Sequence, residues 1–429
     1  MSPTELTKVR DALAGALSVD DVNQRGRDSG QATRLRIVTP HRLFLAIVSA
    51  LASAHVESLA DWLRTFNYQN GVPVAYKAFY NRLARVGFTA FMRGMLARLL
   101  DQLRLDTLTP EGQRAVARFE DIVIQDGSSF ALKSALSGTF PGRFTTIEPA
   151  AVELHATYSG FADEVCTVHI APDKEAERQF LPDPTTLTDR LLLADRGYPS
   201  VPSFEAVRDC GGSFIVRLTR SYDPWVQTAW VDGRRTDLST RMRLSRCLTQ
   251  YAGRRLDLDV EFERGHRVVG FRVVVLPGRD TAMTRLCTHL PRTPFSLDLV
   301  ARLSRFRWQI ERCFKEWKSY ANLHHFDTAN AHIAEGLIWA SLCAAVLKRV
   351  LAHAAQRVGQ GTAMSTRRVA MCAHHILDAL VAAVLLGVGL CAALRRGLAY
   401  LLANARRANP ARDRRTGRLR AGLGLAEPA

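Results

Sequence analysis

The stretch FEDIVIQDGSSF, Phe119 to Phe130, is where this chain changes character. Ahead of it, apolar residues recur at helical spacing. Within it, Ile122, Val123 and Ile124 form a short unbroken apolar run, which reads as a buried strand. The strand is expected to end in a turn at Asp126-Gly127-Ser128-Ser129. A second run, Leu191-Leu192-Leu193-Ala194, leads in the same way into Asp195-Arg196-Gly197-Tyr198. Two buried strands thus each deliver an Asp, closely followed by Gly, to a strand end, where mixed sheets gather functional groups. Val152 to Tyr158 and Glu164 to Ile170 read as further strands between them. The fold class expected is mixed α/β.

Towards the N-terminus, Thr39-Pro40 is a helix start signal, a cap residue followed by proline in the first turn. Leu43, Ile47, Leu51 and Ala54 follow at helical spacing, and Ser58 is placed to cap the next helix. A third helix near residues 74–86 sets Lys77, Arg82 and Arg85 beside Tyr76, Phe79 and Tyr80, a basic face that suits DNA ends or plain solvent. Residues 1–110 are therefore expected to form a helical N-terminal domain. Towards the C-terminus, residues 201–295 read as a β-rich insertion. Leu256, Leu258, Val260 and Phe262 alternate with polar residues, and Asp232-Gly233 is a hairpin signal. Arg234, Arg235, Arg241, Arg243 and Arg246 crowd near Trp225 and Trp230, a surface read as facing DNA.

One helix is expected through FRWQIERCFKEWK, Phe306 to Lys318. At about 100° per residue, Arg307, Glu311 and Lys318 share a face, with Ser304 and Lys315 beside it. Leu299, Leu303, Phe306, Ile310, Cys313 and Trp317 make a core stripe. The helix would bury one side and show an acid flanked by cations on the next. Further helices are expected over 331–353 and 369–402. The apolar stretch 376–394 reads as a buried core helix, since Asp378 and two glycines interrupt it. From residue 404 to 420 the tail is arginine-rich and suited to contacting DNA without sequence preference.

Composition narrows the class. The 429 residues include 58 Lys plus Arg against 41 Asp plus Glu, a net charge of +17. That balance points to a polyanionic partner, nucleic acid before membrane. The 47% hydrophobic content excludes wholesale disorder. The 8 cysteines are scattered with no CxxC pair, so neither a zinc ribbon nor a disulfide framework is indicated. No charged-then-apolar leader opens the chain.

Three acids stand out together: Asp126 and Asp195 after buried strands, and Glu311 on an amphipathic helix. The combination of QDGSSF at Asp126, LLLADRGY at Asp195 and RWQIERCFKEWK at Glu311 resembles bacterial insertion-sequence transposases of the DDE class, in the IS-four type with the YREK signature. That signature sets Arg, Glu and Lys on one helix at the spacing of Arg307, Glu311 and Lys318. Leu154-His155 matches the family's strand motif between the two aspartates. The chain departs from the pattern at Ser304, where the family has tyrosine.

The resemblance implies an RNase H-like core in two parts, residues 111–200 and 296–350. The insertion 201–295 would lie between them, and a helical region 351–429 with the basic tail would follow. It implies cleavage at transposon ends and strand transfer into target DNA. Asp126, Asp195 and Glu311 would be catalytic and hold Mg2+ or Mn2+, two ions together. Arg307 and Lys318 would hold the DNA backbone, with Lys315, Arg196 and Tyr198 as further contacts or, for Arg196 and Tyr198, as shapers of the turn. Trp308 either stacks on an unpaired base or packs in the core. His155 reads as a hydrogen-bonded strand residue rather than a ligand. The partners implied are terminal inverted repeats, target DNA and a second copy of the chain, without a membrane, in the bacterial cytoplasm at the nucleoid. A silent DNA-binding derivative and an RNase H-like nuclease for branched DNA are the competing readings.

Overall fold

A computed structural model describes residues 2–409 apart from 53–55, 57, 104–115, 199, 239, 279–282, 324–326 and 361. Most of the basic tail expected over 404–420 lies outside the described residues.

Six helices come first: α1 (Pro3–Ala16), α2 (Val19–Asp28), α3 (Pro40–Ala52), α4 (Leu59–Asn70), α5 (Tyr76–Leu83) and α6 (Val86–Gln102). Local chemistry sets their ends. Thr39 Oγ1 accepts the Arg42 amide at 3.3 Å ahead of α3. Ser58 and Asp61 make a reciprocal capping box at α4, and Gly71 closes that helix in the left-handed region.

The sheet follows, with β1 (Asp121–Ala131), β2 (Ala151–Ser159), β3 (Glu164–Pro172), β4 (Arg190–Ala194), α7 (Val201–Asp209) and β5 (Ser213–Arg217). Then come β6 (Trp225–Val231), β7 (Arg234–Thr236), β8 (Met242–Arg243), α8 (Leu244–Gln250), β9 (Leu256–Arg264), β10 (Arg267–Pro277) and β11 (Met283–Thr288). The helices α9 (Leu297–Phe306), α10 (Trp308–Tyr320), α11 (Ala331–Val358), α12 (Thr366–Cys372), α13 (His374–Leu386) and α14 (Leu390–Asn404) complete the chain.

Among the described residues the strands form one 11-stranded sheet, ordered β3-β2-β1-β4-β5-β11-β10-β9-β6-β7, with β8 beside β6. β1 runs parallel to β4, and β4 to β5, whereas β2 and β3 are antiparallel. The 3-2-1-4-5 order with antiparallel outer strands is that of an RNase H-like core in a mixed α/β fold. β5 belongs to this parallel set, and the remaining strands extend the same sheet from its edge through antiparallel β11.

Three expectations need correction. Asp126 does not end its strand: β1 continues to Ala131, paired with β2 as far as Ala151. What stops near Asp126 is the parallel ladder to β4, whose last pair is Gln125 with Ala194. The helix through Phe306–Lys318 is two helices, because at Arg307 the backbone bonds shorten: Arg307 N donates to Ser304 O and Ile310 N to Arg307 O. The stretch 376–394 is a hairpin of α13 and α14, turned by Gly387 and Gly389 at φ of 67° and 77°. Such φ values suit glycine, which has no Cβ.

Among the described residues, α11 is by itself long and apolar enough to cross a membrane by length and composition, as are α12 and α13 only if taken together across a 67° bend, but 83% of the apolar window of α11 is buried against the rest of the fold. It packs on α6, α3 and α10, so its hydrophobicity is already satisfied as core.

Candidate active site

Asp126 and Asp195 are brought together by the way β1 and β4 part. The parallel ladder ends at Gln125 and Ala194, so each Asp is the first residue beyond it. This is the crevice at the carboxyl ends of parallel strands where α/β sheets place ligands. α10 lies across β1 and brings Glu311 to the same place. Its burial explains the docking: Ile310, Cys313, Phe314 and Trp317 are all buried, side chains of the Ile and Phe class contributing about 1.5–3 kcal/mol each. From behind, Arg349 of α11 bonds Glu316 at 3.3 Å and Asp163 at 2.7 Å, tying α10 to the β2–β3 hairpin.

Two of the three acids, Asp126 and Glu311, meet on Arg307, and Asp195 lies near enough to act on its charge. Its guanidinium is paired with Asp126 and donates to Glu311 Oε1 at 2.8 Å. Burial works against the Arg307 charge, but Asp126, Asp195 and Glu311 outweigh it and raise its pKa. Burial likewise pushes the Asp126 carboxyl up, to about 6. Arg307 opposes that rise, and the neighbouring Asp195 and Glu311 add to it. Asp195 has Arg217 at 3.9 Å, and its buried Oδ1 lacks a hydrogen-bond partner. Three convergent carboxylates, one with an orphaned oxygen, are a donor set that suits a hard divalent cation. As the side chains stand, no group of three His, Cys, Asp or Glu among the described residues is spaced to hold an ion. Arg307 is the cation among them, paired with Asp126 and Glu311.

Beside the acids opens a cavity of about 770 Å³ lined by Asp195, Arg307, Trp308 and a set of cations: Arg217, Arg305, Arg312, Lys315, Arg367 and Arg407. Arg305 and Arg367 bond neutral oxygens, Ala301 O at 3.2 Å and Tyr320 Oη at 2.8 Å. An arginine-rich wall of this kind suits bidentate phosphate contacts. Trp308 is 54% exposed on it, which excludes core packing. Ser304 lines the same cavity.

Of the other expected residues, Lys318 donates to Ser129 O at 2.6 Å, along the strand that carries Asp126. Arg196 is exposed on the turn after β4. Tyr198 is no surface contact: it is only 1% exposed, with its Oη 3.0 Å from His155 Nδ1. The aromatic ring packs inward beneath the turn, so the exposed DNA contact expected of Tyr198 does not fit its position. His155 is fully buried, stacked on Phe180 at 3.9 Å, and burial holds its pKa down near 4. Sequence reasoning missed Arg217, Arg305, Arg312, Arg367 and Arg407. Arg312 shared a helical face with Trp308 and Lys315, at i, i+4 and i+7, which was a usable signal. Arg367 and Arg407 carried none, because only tertiary packing brings them to the site.

The family profile for the transposase DDE domain matches residues 117–347. The chain belongs to that family. The matched span runs from just before β1 to within α11 and so includes Asp126, Asp195, Glu311 and the strands β6 to β11. The transposase for insertion sequence element IS231C of Bacillus thuringiensis subsp. berliner is 20% identical over 267 residues, 54% of this chain and 56% of that protein. The transposase for IS231F of Bacillus thuringiensis subsp. israelensis is 21% identical over 299 residues, 60% of this chain and 61% of that protein. The chain thus spans little more than half the length of these relatives. A piggyBac transposase synaptic complex with hairpin DNA superposes over 96% of this chain and 89% of its own, at a TM-score of 0.47 and 9% identity.

Proposed function

We propose that this chain is a DNA transposase that cleaves DNA at the ends of an insertion element and joins those ends to a target. The observation that carries the reading is the pairing of Asp126 and Glu311 on the Arg307 guanidinium, with Asp195 and Arg307 both lining an arginine-rich cavity. Family membership supplies the expectation of divalent metal ions. Asp126, Asp195 and Glu311 are the residues to hold Mg2+ or Mn2+, as two ions. Bound there, the ions would supply an activated attacking oxygen and a stabilised leaving oxygen.

The chain's own residues do the positioning. Lys315 and the cavity arginines grip backbone phosphates on one side of the acids, while Arg307 and Lys318 hold the backbone next to them. Trp308, exposed at the cavity rim, stacks on a base drawn out of its pair. Ser304 stands at the rim with a shorter reach than the tyrosine of the YREK pattern, so its contact to phosphate is weaker or bridged by water. In this reading the protein acts as a homodimer across two element ends, without a membrane, in the bacterial cytoplasm at the nucleoid.

The test uses the purified chain with DNA carrying the inverted repeats that flank its gene. Nicking that needs Mg2+ or Mn2+, with joined products on added target DNA, is the expected result. Normal end binding with no nicking under any metal would leave only a silent DNA-binding protein. Cleavage without joined products would favour the nuclease reading, which uses the same acids.

A further inference from the structure

On the side of the sheet away from Glu311, a second polar cluster lies directly beneath the two aspartates. β-strand alternation sends Gly127 to the face opposite Asp126, and its partner across the β1–β2 ladder is His155. His155 Nδ1 meets the Tyr198 hydroxyl at 3.0 Å, and Tyr198 N donates to Asp195 O at 3.3 Å, closing the turn that carries Asp195. Behind His155, Phe180 stacks on the ring with an interplanar angle of 8°. Buried Glu153 lies 3.8 Å from His155 Nε2 and is bonded by Arg143 at 3.4 Å. The fit is close: a Cβ on Gly127 would sit 2.5 Å from Glu153 Oε1, 3.0 Å from Tyr198 Oη and 3.2 Å from His155 Nδ1. The cluster therefore packs directly against Gly127.

We propose that Tyr198 and His155 are a positioning pair that locks the Asp195 turn onto the Asp126 strand and so sets the separation of the two carboxylates. The proposal rests on the reading of Asp126 and Asp195 as metal ligands. β1 and β4 share no backbone ladder beyond Gln125 and Ala194, so something else must fix the spacing of the residues that follow. The Tyr198–His155 contact does this from below, through one strand neighbour of Asp126 and one turn neighbour of Asp195. Neither side chain reaches the cavity side, so neither touches DNA.

The test measures Mn2+ affinity of the full chain by isothermal titration, and nicking rate at saturating DNA, for Tyr198→Phe, His155→Ala, His155→Asn and the double variant Tyr198→Phe/His155→Ala. Asp126→Ala runs in parallel. Partners one layer behind metal ligands typically cost roughly 10-fold or more in metal affinity or activity. A loss of that size is expected in both observables for Tyr198→Phe and His155→Ala, with unchanged DNA affinity. The double variant should be no worse than the worse single one, because the pair acts as a unit. His155→Asn, which keeps an acceptor or donor near the Nδ1 position, should recover part of the loss. Wild-type Mn2+ affinity and rate in Tyr198→Phe, or fully additive losses without recovery in His155→Asn, would overturn the pairing. If Asp126→Ala itself binds Mn2+ and nicks normally, the ligand assignment fails, and the pair falls with it for that separate reason.

Discussion

Two regions of this molecule are crowded with arginine, and they differ in what faces the charge. In the strands beyond β5, Arg241 and Arg243 lie over Trp225 at 4.6 and 3.9 Å. Both are also paired with Glu261 or Glu263 across the sheet. Arg292, 3.5 Å from the centre of Trp230, is likewise matched to Asp257 and Asp259. In the cavity beside the carboxylates, Arg305 and Arg367 instead bond uncharged oxygens. The two sets look alike in composition, but Arg241, Arg243 and Arg292 are matched to carboxylates within the sheet, whereas Arg305 and Arg367 bond neutral oxygens. A basic patch is therefore defined by its acidic neighbours in space, not by its composition.

The largest effect should come from the acids that the cavity serves. Asp195→Ala or Glu311→Ala should slow end nicking by on the order of 10³-fold, with gel-shift affinity for the ends within a few-fold of the wild type. Normal nicking by either variant would remove the catalytic role from this region altogether.

Next in size is the difference between the two arginine sets. Arg305→Ala/Arg367→Ala should weaken DNA binding and reduce the slope of log affinity against log salt by about 1 for each phosphate left without its arginine. Arg241→Ala/Arg243→Ala should leave that slope unchanged. Equal slopes for the two double variants would break the comparison.

A pH experiment sharpens the site side of it. Because burial raises the Asp126 pKa from its usual 3.8 to about 6, protons compete with metal there. Mn2+ affinity should fall as pH drops through about 6, more steeply than for Asp126→Asn. The same shift links to stability. Native Asp126 binds its proton more tightly than the unfolded chain, so its favourable contribution is present below about pH 4 and lost as pH rises through 6. Asp126→Asn should therefore melt above the wild type at pH 8, with the gap narrowing as pH falls through 6 and closing below about pH 4. A gap that stays constant over that range would show that the carboxyl is not held protonated.

The smallest effect belongs to the neutralised arginines. Arg243 and Glu263 are 41% and 46% exposed, and such pairs contribute about 0–1 kcal/mol. Denaturant midpoints for Arg243→Ala should move correspondingly little. A loss of several kcal/mol would mean that the arginine–tryptophan stack, rather than the ion pair, holds this half of the sheet.

Much of the site was legible because it is written in short local patterns. Apolar runs followed by Asp-Gly and Asp-Arg-Gly-Tyr located Asp126 and Asp195, and helical spacing grouped Arg307, Glu311 and Lys318. The same patterns misled where pairing partners decide. Asp-Gly-Ser-Ser looks like a turn, yet β2 holds it extended to Ala131. Tyr198 looks like part of an exposed turn, yet a pocket formed by His155 and its neighbours takes the ring. The interruption at Arg307 has no proline or glycine to announce it.

By itself the sequence determined the fold class and the net positive charge that points to a polyanionic partner, since composition and periodicity act over a few residues, and the combined motifs singled out the three acids only through their family resemblance. Tertiary structure alone decided where β1 and β4 separate, which arginines meet carboxylates and how residues as distant as Asp195, Arg217, Arg367 and Arg407 come to one crevice. The physical reason is that charge compensation and strand separation depend on distances in space. Those distances are set by long-range packing of α10, α11 and α12 against the sheet and one another, which no local pattern encodes.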